Sequence, residues 1–386
     1  MFFMFEIINS LLNRKKVITA NFQVSVEEQT AFLRKCNTPK DLLERSYNQY
    51  LCQRYLMRRS WISVFLIDTA ALLISTIYAI YLVFKRGTRV STSTFEAVYP
   101  YKGKYSGIIP LKYKQKYDIH EIEFGNMASL SFNDLIFVYK IVKKYPSQGY
   151  FILKNIYKIA LYSDVFRKYK PKVIFCSSEY SFTSSILTEW CRRNDVLHVN
   201  IMHGEKLYTI RDSWFEFDVC SVWDIHYIEL FNELQANIDQ FEINIPESLQ
   251  MNLANSHIKK YKLTYYLAGE TEEILIKLKK SLLRLNFSEI CIRIHPRYRD
   301  DDMTREIFDC FDIERPEEVT LKESFENTEY ICSLYSTVLY QAFLNGKKVC
   351  IDDISYGKDK LNDLKNLRYI MMSKEIHKLS ELCQGL

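Results

Sequence analysis

The stretch Lys172–Lys206, KVIFCSSEYSFTSSILTEWCRRNDVLHVNIMHGEK, decides the fold of this chain. Val173–Cys176 is a short apolar run set off by Pro171, which stops the preceding helix. Thr183–Arg193 reads as a helix and Val196–Met202 as a second apolar strand. Strand, crossover helix and strand make a βαβ unit, which requires a parallel sheet and a right-handed crossover. The second strand ends in Met202-His203-Gly204-Glu205, and Gly204 lets the backbone turn tightly there. Ligands gather outside the carboxyl ends of such strands, so His203 is a candidate general base.

Working outward, Leu135–Lys144 and Ile152–Lys168 read as helices upstream. Pro246 and the polar run Glu247–Ser256 read as an interdomain linker, and a second alternating unit follows. It comprises strand Leu263–Leu267, helix Thr271–Leu285, strand Glu289–Ile294, a short strand, strand Tyr330–Cys332, helix Thr337–Asn345 and strand Lys348–Asp352, with Gly346 as a C-cap. A length of 386 residues fits two domains. The expected architecture is α/β, with two Rossmann-type domains at 93–250 and 257–386 facing a cleft and an N-terminal helical segment at 1–92.

Composition narrows the function classes. An apolar fraction of 48% excludes a disordered chain, and a net charge of +5 spread over many elements is modest. The clusters Arg58-Arg59, Lys112–Lys116 and Lys140–Lys144 read as solvated faces or as contacts with anionic lipid or an anionic sugar polymer. No basic-aromatic motif accompanies them, so nucleic acid is not an expected partner. The ten cysteines form no C-x-x-C pair and sit mostly in apolar patterns, the usage of a reduced compartment, and no metal site is expected. Met1–Leu12 lacks the basic lead and cleavage site of a secretory signal.

Pro39–Met57 reads as a helix, and Trp61–Phe84, WISVFLIDTAALLISTIYAIYLVF, is the longest apolar run. Its length permits a spanning helix, while Asp68 within it argues against one. Spanning the bilayer, lying in its surface and burial in the first domain remain three open readings, with membrane association favoured.

Several residues carry the chemistry. Glu205 can orient His203 or act as the base itself. His295-Pro296-Arg297 ends the strand before it, since Pro296 stops ladder pairing, and places His295 and Arg297 to meet a phosphate. Ser333, Ser336 and Thr337 stand at a strand-to-helix junction, where they serve as caps, as an anion site, or as both. Glu179 lines the acceptor side or is a solvated loop residue. Arg211, Asp212, Trp223, Asp224 and His226 shape an acceptor pocket or belong to the aromatic core between Ile210 and Glu247.

His295-Pro296, the Ser333–Thr337 run and the following Gln341-Ala342-x-x-x-Gly346-x-x-Val349 together resemble the sialyltransferase-like branch of the GT-B glycosyltransferases, over Val173–Asp353. That branch includes sialyl-, polysialyl- and Kdo-transferases of bacterial capsule and lipopolysaccharide synthesis. The resemblance implies a metal-independent, inverting transfer from a CMP-sugar, a substrate rather than a cofactor, to a glycan or glycolipid acceptor. It implies a place at the cytoplasmic face of the inner membrane, held there peripherally or by one helix. The His203-Gly204 pair departs from the acidic base of that branch and is similar to the polyglycerol-phosphate transferases of teichoic-acid synthesis, which implies a CDP-polyol donor instead. A non-catalytic subunit of a polysaccharide assembly complex is the reading from another class.

Overall fold

The computed structural model describes residues 24–84, 94–100, 107–124, 129–254, 259–296 and 301–384. The chain divides into two compact units, Met1–His203 with Tyr208–Asn244, and Gly204–Leu207 with Ile245–Leu386. The break at Asn244 and Ile245 falls at Pro246, where the linker is expected.

In the first unit the helices are α1 (Val26–Leu33), α2 (Leu42–Leu56), α3 (Trp61–Phe84), α4 (Leu111–Lys116), α5 (Phe132–Lys144), α6 (Gly149–Tyr169), α7 (Ser184–Arg192) and α8 (Ile225–Glu233). Its strands are β1 (Ala97–Tyr99), β2 (Ile119–Glu121), β3 (Val173–Cys176), β4 (Leu197–Ile201), β5 (Val219–Val222) and β6 (Phe241–Ile243). They form one parallel sheet in the order β2-β1-β3-β4-β5-β6. The order reverses between β1 and β3, and a ligand belongs at the carboxyl ends of such a switch. Tyr99 and Ser177 close the backbone split there with a 3.2 Å hydroxyl contact.

The second unit contains α9 (Glu272–Leu282), α10 (Asp301–Ile307), α11 (Leu321–Asn327), α12 (Thr337–Leu344), α13 (Lys358–Asn366) and α14 (Leu379–Gln384). Strands β7 (Tyr261–Tyr266), β8 (Ile290–Arg293), β9 (Asp312–Glu314), β10 (Thr328–Ser333), β11 (Lys348–Ile351) and β12 (His377–Lys378) pair in parallel in the order β12-β11-β10-β7-β8-β9. This is the Rossmann strand order, with its switch between β7 and β10. The expected α/β architecture of two Rossmann-type units is therefore present.

Local signals account for the ends of several elements. Asp41 caps α2 by accepting from Glu44 N at 2.7 Å, and Ser131 with Asp134 forms a capping box on α5. Lys170 ends α6 in a left-handed conformation, φ 47°, one residue before Pro171. The aromatic run between Ile210 and Glu247 becomes β5, α8 and β6, and Phe215, Phe217, Tyr227 and Phe231 are fully buried in the unit's core. Trp223 is buried with them.

The N-terminal helices are part of the first unit. Asp68, Ala71, Ser75, Tyr78 and Leu82 make a buried stripe along α3 at helical spacing. That stripe packs on α6, where Gly149 allows the two backbones to touch: a Cβ at Gly149 would lie 1.9 Å from the Asp68 carbonyl oxygen. The Asp68 carboxylate accepts from Tyr150 N at 3.0 Å and stands 3.8 Å from Arg54. It thus serves the N-terminal end of α6 rather than facing solvent or lipid.

Candidate functional site

The carboxyl ends of β3 and β4 bring four of the expected residues together. Asn200, on β4 opposite Cys176 of β3, accepts from Ser178 N at 2.8 Å and so fixes the turn that follows β3. That turn directs the Glu179 carboxylate inward, where it is fully buried and accepts from Asn200 Nδ2 at 3.2 Å. Two residues beyond β4, His203 presents Nδ1 to the other Glu179 oxygen at 3.5 Å, with a fifth of its side chain exposed. The 3.5 Å separation is an ion-pair contact rather than a hydrogen bond, and a carboxylate on that side favours the ring hydrogen on Nδ1, with Nε2 left to take a proton.

A second layer surrounds this pair. The Tyr180 ring meets the His203 ring edge-on at 5.9 Å between centroids. Arg211 stands over Tyr180 at 5.8 Å and grips Asp212 through two contacts of 2.6 and 3.0 Å. Burial works against the Arg211 charge, but Asp212 and then Glu179 more than offset it and push its pKa up. Arg211 is therefore a fixed positive charge close to the Glu179 carboxylate.

Helix α2 braces both loops. Gln49 Nε2 donates to the Glu179 carbonyl at 2.8 Å and to the Arg211 carbonyl at 3.0 Å. One turn later, Gln53 Nε2 reaches the Tyr180 and Arg211 carbonyls at 3.0 and 3.2 Å. Ser46, one turn earlier, donates to the Phe182 carbonyl. Asn200, Tyr180, Gln49 and Gln53 escape the sequence reading. Their signal is nonetheless present: Gln49 and Gln53 are amides at i and i+4, and His198 and Asn200 are polar residues two apart on an apolar strand.

Glu205 belongs with the second unit. Residues 204–207 cluster with the second unit, where the Glu205 charge, after burial, helps to raise the Tyr369 pKa.

In the second unit, Ser333 is the last residue of β10 and wholly buried, and its hydroxyl donates to the Tyr266 carbonyl at 2.8 Å across the switch between β10 and β7. Ser336 is the N-cap of α12, accepting from Val338 N at 3.2 Å, and Thr337 is the first residue of that helix. Tyr369 clamps the cap: its hydroxyl donates to Ser336 O at 3.0 Å and accepts from Ser336 N at 3.4 Å. Ser336 fills the expected cap, and Ser333 pins the sheet split. His295 and Pro296 follow β8 at the same carboxyl edge of that sheet, His295 half-buried and Pro296 exposed. Arg297 lies outside the described residues. Asp224 caps α8 by accepting from His226 N at 2.9 Å. Among the described residues, no cluster of three or more His, Cys, Asp or Glu side chains is arranged to hold a metal ion.

No protein-family model matches the chain, and no curated protein matches it. Among solved structures it is similar to a variant of the wall teichoic acid polymerase TagF with CDPG, at 10% identity over 88% of this chain and 86% of that one, TM-score 0.40. It is also similar to the S. aureus MnaA-UDP co-structure, at 12% identity over 74% and 92% of the respective chains, TM-score 0.41. The glycotransferase of kitacinnamycin is similar at 6% identity over 77% and 92%, TM-score 0.44.

Proposed function

We propose that this chain is a transferase that moves a group from a nucleotide-activated donor to a hydroxyl acceptor, with His203 as the general base. The observation that carries this reading is the buried Glu179 carboxylate at His203 Nδ1, fixed by Asn200 and close to the Arg211 charge. A pair of this kind exists to hold one tautomer of an imidazole, which a histidine satisfied by backbone alone does not need.

The reaction is a single displacement. The acceptor hydroxyl attacks the carbon of the donor sugar, its proton passes to His203 Nε2, and the bond to the nucleotide phosphate breaks with the electron pair leaving on phosphate. Inversion follows at the sugar carbon. In the second unit the leaving phosphate is assigned to His295 and the N–H groups at the start of α12, with Ser336 and Thr337. The donor is a CMP-activated acidic sugar and the process is bacterial surface polysaccharide synthesis, in line with the motifs at His295-Pro296 and Ser333–Thr337. The reaction as written asks for no metal ion.

A second reading, transfer of a polyol phosphate from a CDP-polyol, is favoured by one feature. The base is an imidazole on a carboxylate rather than an acidic residue. Thermal shift with CMP, CDP, UDP and GDP in parallel separates the two, since stabilisation by CMP alone supports the first reading and by CDP the second. His203→Ala should lose about 10²- to 10⁴-fold in transfer while keeping the nucleotide shift. Glu179→Gln should lower kcat with little change in the donor KM. Retained transfer in His203→Ala would remove the proposed base.

A further inference from the structure

We infer that the outer face of α3, continued by the start of α5, lies flat in a lipid bilayer surface, as a monotopic anchor and not as a spanning helix. The inference is independent of the reaction proposed above. One face of α3 is committed to the first unit through Asp68, Ala71, Ser75, Tyr78 and Leu82 and through the backbone contact with Gly149. A spanning α3 would draw α6, the Asp68 carboxylate and Arg54 into hydrocarbon along with it.

The other face is open and apolar. Trp61, Phe65, Leu66, Leu73, Ile77 and Phe84 are each between 59% and 81% exposed. Only 11% of the most apolar window in Trp61–Leu82 is buried, at a mean hydropathy of 1.9. The helix is 24 residues long, about 36 Å at the ordinary rise. No acidic or basic side chain is exposed anywhere along it, and the Thr76 hydroxyl turns back to the Leu72 carbonyl at 3.2 Å. Soluble monomers do not expose so long an apolar surface, and a protein partner would be met by a polar rim, which this face lacks.

Helix α5 extends the face. Leu130 N donates to Leu82 O at 3.3 Å, so the entry to α5 abuts the end of α3. Phe132, Ile136 and Tyr139 then make an exposed stripe at 76%, 47% and 64%. Lys140 and Lys143 are exposed around its far end and the one acidic residue of α5, Asp134, is buried. An apolar stripe ending in lysines, of which Lys144 is paired with Asp41 and Glu44, fits acyl chains below anionic headgroups.

The test uses the full chain with vesicles of phosphatidylcholine alone and of phosphatidylcholine mixed with phosphatidylglycerol. The protein should co-sediment with both, more strongly and in a salt-sensitive manner with the anionic mixture. Phe65→Glu and Leu73→Glu should each weaken binding about tenfold or more without lowering Tm. Because Trp190, Trp214 and Trp223 are buried, fluorescence quenching by brominated lipid reports Trp61. In a Trp61→Phe background, Leu73→Trp places the reporter at mid-helix. Quenching there by bromines near the headgroups supports the in-plane arrangement, and quenching by bromines at the chain ends overturns it in favour of spanning. Native protein that stays off all vesicles, or glutamate variants that bind as well as the native chain, also overturns it. A dimer that the glutamate variants dissociate, with no vesicle binding, assigns the face to a second copy instead.

Discussion

His198 and His203 lie five residues apart on and just beyond β4, and their surroundings set them to opposite tasks. His198 is wholly buried, with Thr188 Oγ1 at 2.8 Å from Nδ1, and Tyr162 OH and Cys176 Sγ at 3.1 and 3.3 Å from Nε2. When the Thr188 proton goes to the carbonyl of Ser184 or Glu216, Nδ1 carries the ring hydrogen and Nε2 accepts from Tyr162. Burial, with the Arg192 charge second, holds the His198 pKa down at about 3. The unfolded chain takes up a proton near pH 6.5 and the folded chain does not, so this group's contribution is complete above pH 6.5. It falls by about 1.4 kcal/mol per pH unit as pH drops from 6.5 toward 3. Urea unfolding at pH 7, 6 and 5 should show that slope, and His198→Gln should flatten it. An unchanged slope in the variant would mean that other groups set the acid sensitivity. His203, by contrast, keeps a solvent-facing edge, as a proton acceptor must. It is legible in sequence because a glycine follows it at a strand end. Glu179 is legible as an acceptor-side candidate but its pairing with His203 is not, because that contact depends on the register that places Asn200 opposite Cys176.

At the scale of elements, α3 shows how bounds and role come apart. Its limits, Trp61–Phe84, follow directly from the apolar run, yet the run is apolar on both faces and so says nothing of which face is inside. The answer comes from Gly149, far along the chain and in no local pattern, where α6 meets α3 backbone to backbone. At an exposed helix position Gly→Ala gains up to about 1 kcal/mol. At Gly149 the sign reverses, because the added Cβ meets the Asp68 carbonyl and the Leu72 nitrogen, and Gly149→Ala should lower stability by about 2–3 kcal/mol. Chemical denaturation of the variant checks this, and a stabilised variant would show that the helix contact is looser than it stands. The short strands tell the complementary story. Val219–Val222 and Phe241–Ile243 are too brief to show a period, and only their neighbours in the sheet make them strands. The longer βαβ pattern around β3 and β4 needs no such help.

For the whole molecule, each of the two units has apolar clusters of its own. One cluster in the first unit gathers Phe151, Ile159, Ile174 and Trp190, and one in the second gathers Leu263, Ile292, Cys332 and Cys350. Alternating strands and helices made both legible from sequence, whereas the packing of α1 to α3 onto the first unit was not, since it rests on side-chain contacts such as those of Gln49 and Gln53. With clusters in each unit, two cooperative transitions are expected on heating. The transition whose acid sensitivity is removed by His198→Gln belongs to the first unit. If the second unit holds the donor phosphate at the start of α12, nucleotide at 100 times its Kd should add about 2.7 kcal/mol to the other transition alone. Scanning calorimetry with and without nucleotide reads this directly. A nucleotide that raises the acid-sensitive transition would move the phosphate site to the unit that carries His203, and base and donor would then share a single sheet.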